Sequence, residues 1–160
     1  KSTLAAILAG QLLPEAGLCL TKGLDIATLG NWSWRKQNAL VPQFHENHIL
    51  MGTLAFNLLL GRNWPPSEQE LREAESLCKA LGLASLLEKM PAGLFQQVGE
   101  TGWQLSHGER ERIFIARALL QNPEVIFLDE SVSSLDPHTL QLLMDLLWKQ
   151  APAILLIVHA

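Results

Sequence analysis

The stretch VIFLDE at residues 125–130 is the most informative part of this 160-residue chain for chemistry. Four apolar residues, typical of a buried strand, end in two adjacent carboxylates, Asp129 and Glu130. Open α/β sheets place their sites at the carboxyl ends of strands. In phosphate-handling folds, an aspartate there commonly helps to hold Mg²⁺, and a neighbouring glutamate can orient and deprotonate an attacking water. Taken alone, the stretch is also compatible with a strand that ends in solvent.

A second set of candidate residues opens the chain, where Lys1, Ser2 and Thr3 precede the apolar run LAAILAG. One interpretation is the end of a phosphate-binding loop followed by its helix. The lysine would then place a positive charge on the β- and γ-phosphates of a nucleotide, and the Ser2 hydroxyl suits Mg²⁺. The other interpretation is the basic start of a secretory signal, with LAAILAG as its apolar core. Lys1 is also compatible with a solvated chain end.

Ser106 and Gly108 open a predicted helix in the stretch LSHGERERIFIARALL. The serine hydroxyl, the unpaired backbone N–H groups and the positive end of the helix dipole form a potential anion site. The same serine, with Glu109 three residues later, matches a capping box. Both roles use the same N–H groups, so the two interpretations are compatible.

Two further polar residues follow predicted strands. Gln43 comes directly after NALVP, where a neutral amide can reach both Mg²⁺ and water. His159 follows AILLIV, where an imidazole can hydrogen-bond a phosphate and position the attacking water. Each is, by itself, also compatible with an ordinary polar strand end or a structural histidine.

The elements that must position these residues alternate between strands and helices at both ends of the chain. Buried strands are predicted for NALVPQ, PEVIFLDE and PAILLIVH, and a short strand for GLCLTKG at residues 17–23. Helices are predicted for GTLAFNLLLG, SHGERERIFIARALLQ, DPHTLQLLMDLLWKQ and SEQELREAESLCKALGL, the last with a capping box of Ser67 and Glu70. This alternation predicts a parallel sheet covered by helices, and the strand-poor middle predicts a helical insertion.

The composition limits the partners and the covalent chemistry of the chain. The formal net charge is −4 and no run of like charges occurs, so nonspecific nucleic-acid binding is not expected. The longest apolar run, AILLIV, is far shorter than the roughly 18 residues that a membrane span needs. Cys19 and Cys78 lack metal-ligand spacing, so we expect two buried free thiols. We expect most of the scattered tryptophans, including Trp148, to be packing residues.

The order of these motifs resembles the nucleotide-binding domain of ATP-binding cassette (ABC) proteins. In that family, a phosphate loop ending in GKST, a Q-loop glutamine, a signature close to LSGGQ, a strand ending in DE, a SALD-like D-loop and a switch histidine occur in sequence. This chain shows KST, Gln43, LSHGE, VIFLDE, SSLD and His159 in the same order. The resemblance implies an α/β fold of the P-loop NTPase (RecA-like) type, with a parallel sheet core and a helical insertion subdomain.

The resemblance also implies ATP and Mg²⁺ as ligands and a role for each motif. Catalysis would depend on Glu130, His159 and Gln43, and Mg²⁺ would be held by Ser2, Gln43 and Asp129. The signature would serve the γ-phosphate of a nucleotide held mainly by a second copy of the domain, in a head-to-tail dimer. The implied nucleotide-binding residues are Lys1, Ser2, Thr3, Ser106, His107, Gly108, Glu109 and Asp136.

The same resemblance divides the chain and names its partners. Residues 1–43 and 110–160 would form the RecA-like core, and residues 44–109 the helical subdomain with the signature. VGETG resembles the X-loop of exporter-type domains, in which Glu100 would contact the membrane domain; a plain turn carboxylate is the alternative. We therefore expect the ATPase of an ABC exporter at the cytoplasmic face of a membrane. Its transmembrane domain would be reached through the Q-loop, the helical subdomain and the X-loop.

Departures from the family pattern leave alternatives open. His107 replaces the first glycine of the signature, so its imidazole either crowds the nucleotide or, when protonated, helps to bind it. The sequence lacks the glycines of the phosphate loop, so we expect residues 1–160 alone to bind ATP weakly or not at all and to be inactive. One alternative function is a soluble cassette ATPase of DNA repair, chromosomes or translation, which typically carries coiled-coil, zinc or basic insertions. The other is a regulatory domain impaired by its altered signature.

Overall fold

The fold is built from short helices and five short strands across residues 1–43, 48–132 and 135–158, which are the residues that the computed structural model describes. The helices are α1 (Ser2–Leu8), α2 (Ile26–Leu29), α3 (Asn31–Gln37), α4 (Leu54–Leu58), α5 (Glu68–Ala80), α6 (Ala84–Lys89), α7 (His107–Leu119) and α8 (Pro137–Gln150). The strands are β1 (Asn38–Val41), β2 (Gly52–Thr53), β3 (Gln97–Val98), β4 (Val125–Asp129) and β5 (Ala153–Ile157).

A parallel sheet in the order β1–β4–β5 joins the two ends of the chain. Val41 pairs with Leu128, and Ile157 pairs with Asp129, so the carboxyl ends of all three strands meet at one edge. Ile126 and Leu128 of the central strand are fully buried, as expected for a parallel strand covered on both faces. The prediction of an α/β fold with a parallel sheet is confirmed.

The middle of the chain is mainly helical. It contains α4, α5, α6 and the antiparallel pair β2–β3. The predicted capping box of α5 is present, because the Ser67 hydroxyl accepts from the Glu70 N–H and the Glu70 carboxylate accepts from the Ser67 N–H at 2.8 Å. The longest described helix, α8, has 14 residues, and none of the described helices is long and apolar enough to cross a bilayer.

The short helix α3 was not predicted, and it holds the end of α1 in place. Trp34 is only 2% exposed, and its Nε1 donates to the Leu8 carbonyl at 2.9 Å. Arg35 donates to the Gly10 carbonyl through Nε at 3.2 Å and Nη2 at 3.1 Å. These donors satisfy carbonyls at the end of α1 that have no partner within the helix. The end of α1, the helix that begins within the KST motif, is thereby held by α3.

The prediction of a strand at residues 17–23 is wrong. The structure has only an isolated antiparallel bridge between Thr21 and Leu24 there. Lys22 and Gly23 have φ values of 53° and 79°, so the chain reverses through left-handed backbone that a strand cannot contain.

Three predictions of burial also need correction. Within the described sheet β5 is an edge strand, and Leu155 and Leu156 are 38% and 39% exposed, because β4 covers only one side of it. Trp148 is 68% exposed, since it lies on the outer face of α8 while Leu143 and Leu147 face inward. Both cysteines are free as predicted, but only Cys78 is buried and Cys19 is half-buried.

Candidate functional site

Asp129 ends the central strand and is the most enclosed acidic residue at the carboxyl edge of the sheet. It is 3% exposed, and its Oδ1 has no hydrogen-bond partner among the described residues. The buried Ser131 Oγ, two residues later, also lacks one there. Buried oxygen atoms without a partner are unfavourable unless a ligand completes them.

These oxygen atoms fit Mg²⁺, which prefers hard oxygen ligands. In the part of the chain that the structure describes, no group of three or more His, Cys, Asp or Glu side chains is arranged to hold a metal ion. The described side chains therefore do not complete a metal site by themselves. Mg²⁺ usually binds through one or two carboxylates, water and substrate phosphates, and this edge matches that pattern.

Glu130 follows Asp129 in a strained backbone conformation. Its φ is 51°, a left-handed value that is uncommon for residues other than glycine. The Glu130 N–H donates to the Ile157 carbonyl at 3.0 Å, which extends the β4–β5 ladder and holds the turn. Glu130 is half-buried, whereas Asp129 is buried. Backbone strain of this kind clusters at functional sites, so the left-handed conformation of Glu130 supports a functional role for this pair of carboxylates.

Lys1 and Gln43 lie at the same edge as this acidic pair. The Lys1 Nζ donates to the Val158 carbonyl at 3.1 Å, directly beyond β5. Gln43 is two residues past Val41, whose β4 partner is Leu128, so it is level with the residues that follow β4. The structure therefore gathers an ammonium group, an amide and two carboxylates at one sheet edge.

Three further residues were predicted at this edge, and the structure describes two of them. Ser2 begins α1 and is half-buried, and Thr3 is exposed. His159, the predicted switch histidine, lies outside the described residues. It follows Val158, the residue whose carbonyl accepts from Lys1.

The predicted signature forms a second group at the start of α7. The Glu109 N–H donates to Ser106 Oγ at 3.3 Å, and the Ser106 N–H donates to Glu109 Oε2 at 2.7 Å, so the predicted capping box is confirmed. A Cβ added to Gly108 would meet nothing within 4 Å. Ser106 and His107 are exposed. The N-terminus of α7 is therefore open to an anionic ligand.

His107 also contacts a residue that the sequence analysis missed. Its Nε2 lies 3.4 Å from Oε1 of Glu111, one helical turn later. The Glu111 side chain is 1% exposed and the His107 side chain 50% exposed. The spacing of four residues between a histidine and a glutamate in a predicted helix is the signal that could have revealed the pair.

Asp136, the predicted D-loop aspartate, caps α8. Its Oδ1 accepts from the N–H groups of Thr139 at 3.0 Å and His138 at 3.1 Å. The hydrogen bonds from Thr139, followed by that from His138, lower the pKa of Asp136 from its ordinary value. Ser133 and Ser134, the first residues of the SSLD motif, lie outside the described residues.

An asparagine and an arginine, both missed by the sequence analysis, hold the segment that begins at His48. Arg117 of α7 donates to the Asn57 carbonyl through Nε at 2.7 Å and to the His48 carbonyl through Nη2 at 3.4 Å. The Asn57 side chain bonds both the N–H and the carbonyl of Leu50, at 2.8 Å and 2.9 Å. Burial lowers the pKa of Arg117 to about 10. The signature helix and this segment are thus linked by polar contacts.

The predicted X-loop is a tight turn beside a cleft of about 390 Å³. A Cβ at Gly102 would lie 2.6 Å from the Gln97 carbonyl oxygen, so only glycine fits this position. Glu100 is exposed, and it lines the cleft together with Trp103 and Arg110.

Known proteins are similar to the chain in both sequence and fold. The family model of ABC transporters matches residues 1–133. An ABC multidrug transporter of Cryptococcus neoformans is 39% identical over 151 residues, which are 94% of this chain and 11% of that protein. A putative export ATP-binding/permease protein of Rickettsia bellii is 38% identical over 144 residues, covering 90% of this chain and 24% of that protein.

A solved structure agrees with these relatives. The structure of a bacterial Atm1-family ABC exporter with ATP bound aligns with the whole chain at a TM-score of 0.83 and 31% identity, and the chain spans 27% of it. These relatives are transporters and exporters, which favours the exporter prediction over the soluble alternative. The chain belongs to the ABC transporter family, as part of a nucleotide-binding domain of the exporter type.

Proposed function

We propose that, within its full-length protein, the chain takes part in binding and hydrolysing ATP to drive export by a membrane transporter, whereas residues 1–160 alone bind ATP weakly or not at all. The observation that carries this proposal is the arrangement at the carboxyl edge of the parallel sheet, where Lys1, Gln43, Asp129 and Glu130 converge. A cation beside two carboxylates and a neutral amide suits a bound nucleoside triphosphate with its metal ion.

In this proposal, the residues at the carboxyl edge of the sheet have different roles in binding one nucleotide. Lys1 binds the β- and γ-phosphates, with Ser2 and Thr3 beside it at the start of α1. Asp129, Ser2 and Gln43 would hold Mg²⁺, and the Oδ1 of Asp129, which has no hydrogen-bond partner among the described residues, supports its part in this set. When bound, Mg²⁺ neutralises charge on the phosphate oxygens.

Hydrolysis requires a positioned water, and three residues are proposed for it. Glu130 accepts the proton of the attacking water, and its half-buried position beside the buried Asp129 suits a base that must meet solvent. Gln43 orients the same water through its amide. His159 hydrogen-bonds the γ-phosphate and helps to position the water.

A second copy of the domain completes the site in our proposal. The N-terminus of α7 faces the nucleotide held by the partner, and it supplies Ser106, His107, Gly108 and Glu109. The open space beside Gly108 supports this role, because a phosphate can approach the backbone there. Asp136 would reach the interface with the second copy, and its capping of α8 supports this role because it fixes the end of the D-loop.

ATP binding would close the two domains on each other and hydrolysis would reopen them. The remaining parts of the chain are proposed to transmit this movement to a transmembrane domain at the cytoplasmic face of the membrane. Residues 1–43 and 110–160 act as the RecA-like core, and residues 44–109 act as the helical subdomain. The cleft lined by Glu100, Trp103 and Arg110 is a surface on which the membrane partner can dock. The links from Arg117 to His48 and Asn57 connect this surface to the signature helix.

The Glu130→Gln variant of the full-length protein tests the proposed catalytic role. The amide keeps the shape of the side chain but cannot accept the proton, so we expect ATP to remain bound and hydrolysis to stop. Phosphate release and retained ATP are the measurements. Glu124→Gln is the matched control. Glu124 directly precedes β4, at the end opposite to Glu130, and it pairs with the exposed Lys22. Undiminished turnover in Glu130→Gln, or equal loss in both variants, contradicts the assignment.

A further inference from the structure

Ser131, which follows the two adjacent carboxylates, carries a buried hydroxyl group to which the proposed function gives no role. The residue is 2% exposed, and its Oγ has no hydrogen-bond partner among the described residues. Asp129, two positions earlier, is 3% exposed, and its Oδ1 likewise has no partner among them. Each such oxygen is unfavourable unless something binds it. Two of them at the end of one strand therefore indicate a common ligand.

The backbone is fixed on both sides of Ser131. On one side, the Glu130 N–H donates to the Ile157 carbonyl at 3.0 Å, which holds the chain against β5. On the other side, Val132 is 7% exposed and belongs to the hydrophobic core, and its carbonyl accepts from the Leu135 N–H at 3.3 Å. The Ser131 hydroxyl is therefore held in the interior, directly beyond the carboxyl edge of the sheet.

The charges at this edge decide which kind of ligand can reach the two oxygen atoms. Asp129 and Glu130 are adjacent carboxylates, so the negative charge of a phosphate oxygen would be repelled there, whereas a cation or a water molecule would not. A serine hydroxyl can accept one hydrogen bond and donate another, and a carboxylate accepts. Mg²⁺ usually keeps several water molecules when it binds to proteins, and these can donate to both kinds of oxygen.

We infer that Ser131 is a positioning residue for the metal ion, because it holds, together with Asp129, a water molecule that Mg²⁺ retains. The inference rests on the proposed function, since Mg²⁺ reaches this edge with the nucleotide. Groups that hydrogen-bond the ligands of a metal orient those ligands, and their loss weakens metal binding. Packing alone does not account for the serine, because an alanine would occupy a similar volume without leaving a buried oxygen unpaired.

The Ser131→Ala variant of the full-length protein tests the inference through the Mg²⁺ dependence of nucleotide binding. The probe is an ATP analogue whose terminal phosphate cannot be hydrolysed, and calorimetry measures its affinity in Mg²⁺ and in EDTA. In Mg²⁺, we expect the variant to bind the analogue roughly 10-fold more weakly than wild type, as is typical when a group that supports a metal's ligands is lost. In EDTA, the two proteins should bind it equally, because there is then no metal ion to position.

Two comparisons and a matched control separate this role from packing. Without nucleotide or metal, Ser131→Ala should not lower the thermal midpoint of unfolding, since it removes a buried oxygen that has no partner among the described residues. In an Asp129→Asn background, Ser131→Ala should have little further effect in Mg²⁺, because both side chains act on the same water molecule. The control is Ser33→Ala, which should leave the affinity unchanged. Ser33 is half-buried in α3, which leads into the amino end of β1 at the opposite edge of the sheet.

The outcomes distinguish this inference from the proposed function. Equal affinities of wild type and Ser131→Ala in Mg²⁺ overturn the inference, as does an equal loss in Mg²⁺ and in EDTA. A lowered midpoint of the nucleotide-free variant also overturns it, since the hydroxyl is then part of the packing. If the wild type does not bind the analogue in Mg²⁺, the proposed function and the inference fail together. If Mg²⁺ strengthens binding by the wild type and by Ser131→Ala to the same extent, only the inference fails.

Discussion

Replacing Asn57 with leucine should release the segment that begins at His48, residues 48–53, from the helical part of the chain. Asn57 is fully buried in α4. Its Oδ1 accepts from the Leu50 N–H at 2.8 Å and from Arg117 Nη2 at 3.3 Å. Its Nδ2 donates to the carbonyls of Leu50 and Thr53 at 2.9 Å and 3.1 Å. Leucine has a similar volume, so the change mainly removes these four hydrogen bonds.

The size of the effect follows from those contacts. A hydrogen bond contributes a net value of about 1 kcal/mol, and a buried donor left without a partner adds to the loss. Four bonds therefore correspond to about 4 kcal/mol, of which local rearrangement recovers a part. A remaining loss of about 3 kcal/mol raises the population of the opened segment roughly 100-fold. Hydrogen exchange of the amides in residues 48–58, followed by mass spectrometry of the full-length protein, measures that population.

The matched control is Asn63→Leu, because Asn63 is exposed. Surface substitutions of this kind change stability by no more than about 0.5 kcal/mol. Amide exchange in residues 48–58 that stays close to wild type in Asn57→Leu refutes the reasoning. Equal acceleration by both variants refutes it as well, since the effect is then unrelated to the buried contacts.

Two further predictions concern the glycines of the motifs and the cap of α8. Gly102→Ala should lower the thermal midpoint of unfolding, because the added Cβ would lie 2.6 Å from a backbone oxygen. Gly108→Ala should keep the midpoint, because the added Cβ would meet nothing within 4 Å. It should slow ATP hydrolysis by the full-length protein, because the methyl group would occupy the space through which a phosphate approaches the backbone. Equal midpoints for the two variants contradict this. Hydrogen bonds lower the pKa of Asp136, so its stabilisation is complete above about pH 4 and is lost as the pH falls through the lowered pKa. Asparagine also caps helices but does not titrate, so the advantage of wild type over Asp136→Asn in urea unfolding should shrink on acidification; a constant difference contradicts the assignment.

Elements specified by neighbouring residues were predictable from the sequence. The capping boxes at Ser67 and Ser106 each depend on a glutamate three residues later, and both are present. β4 was predictable because a continuous apolar run suits a strand buried on both faces. The convergence of the sheet edge followed from these strands, since parallel strands end together.

Elements stabilised by distant contacts were not predictable in the same way. NWSWRKQ has no apolar repeat, and α3 depends on Trp34 packing against the end of α1, 26 positions earlier in the chain. GLCLTKG alternates like a strand, but the positive φ angles of Lys22 and Gly23 turn it back on itself. Asn57 looks like an interruption of an apolar run, and only the folded chain shows that it bonds Leu50 and Arg117.

The altered signature illustrates why a motif cannot be interpreted one position at a time. In the sequence, ERER after the signature glycine is typical of a solvated helix face, and it does not indicate which glutamate is buried. Packing of α7 decides this, because it turns Glu111 inward and leaves His107 half exposed above it. A histidine at this position therefore contacts a buried carboxylate and also changes the steric fit to a phosphate. Restoring glycine at position 107 alone leaves Glu111 without this partner, so that variant should be less stable than the one that also carries Glu111→Gln.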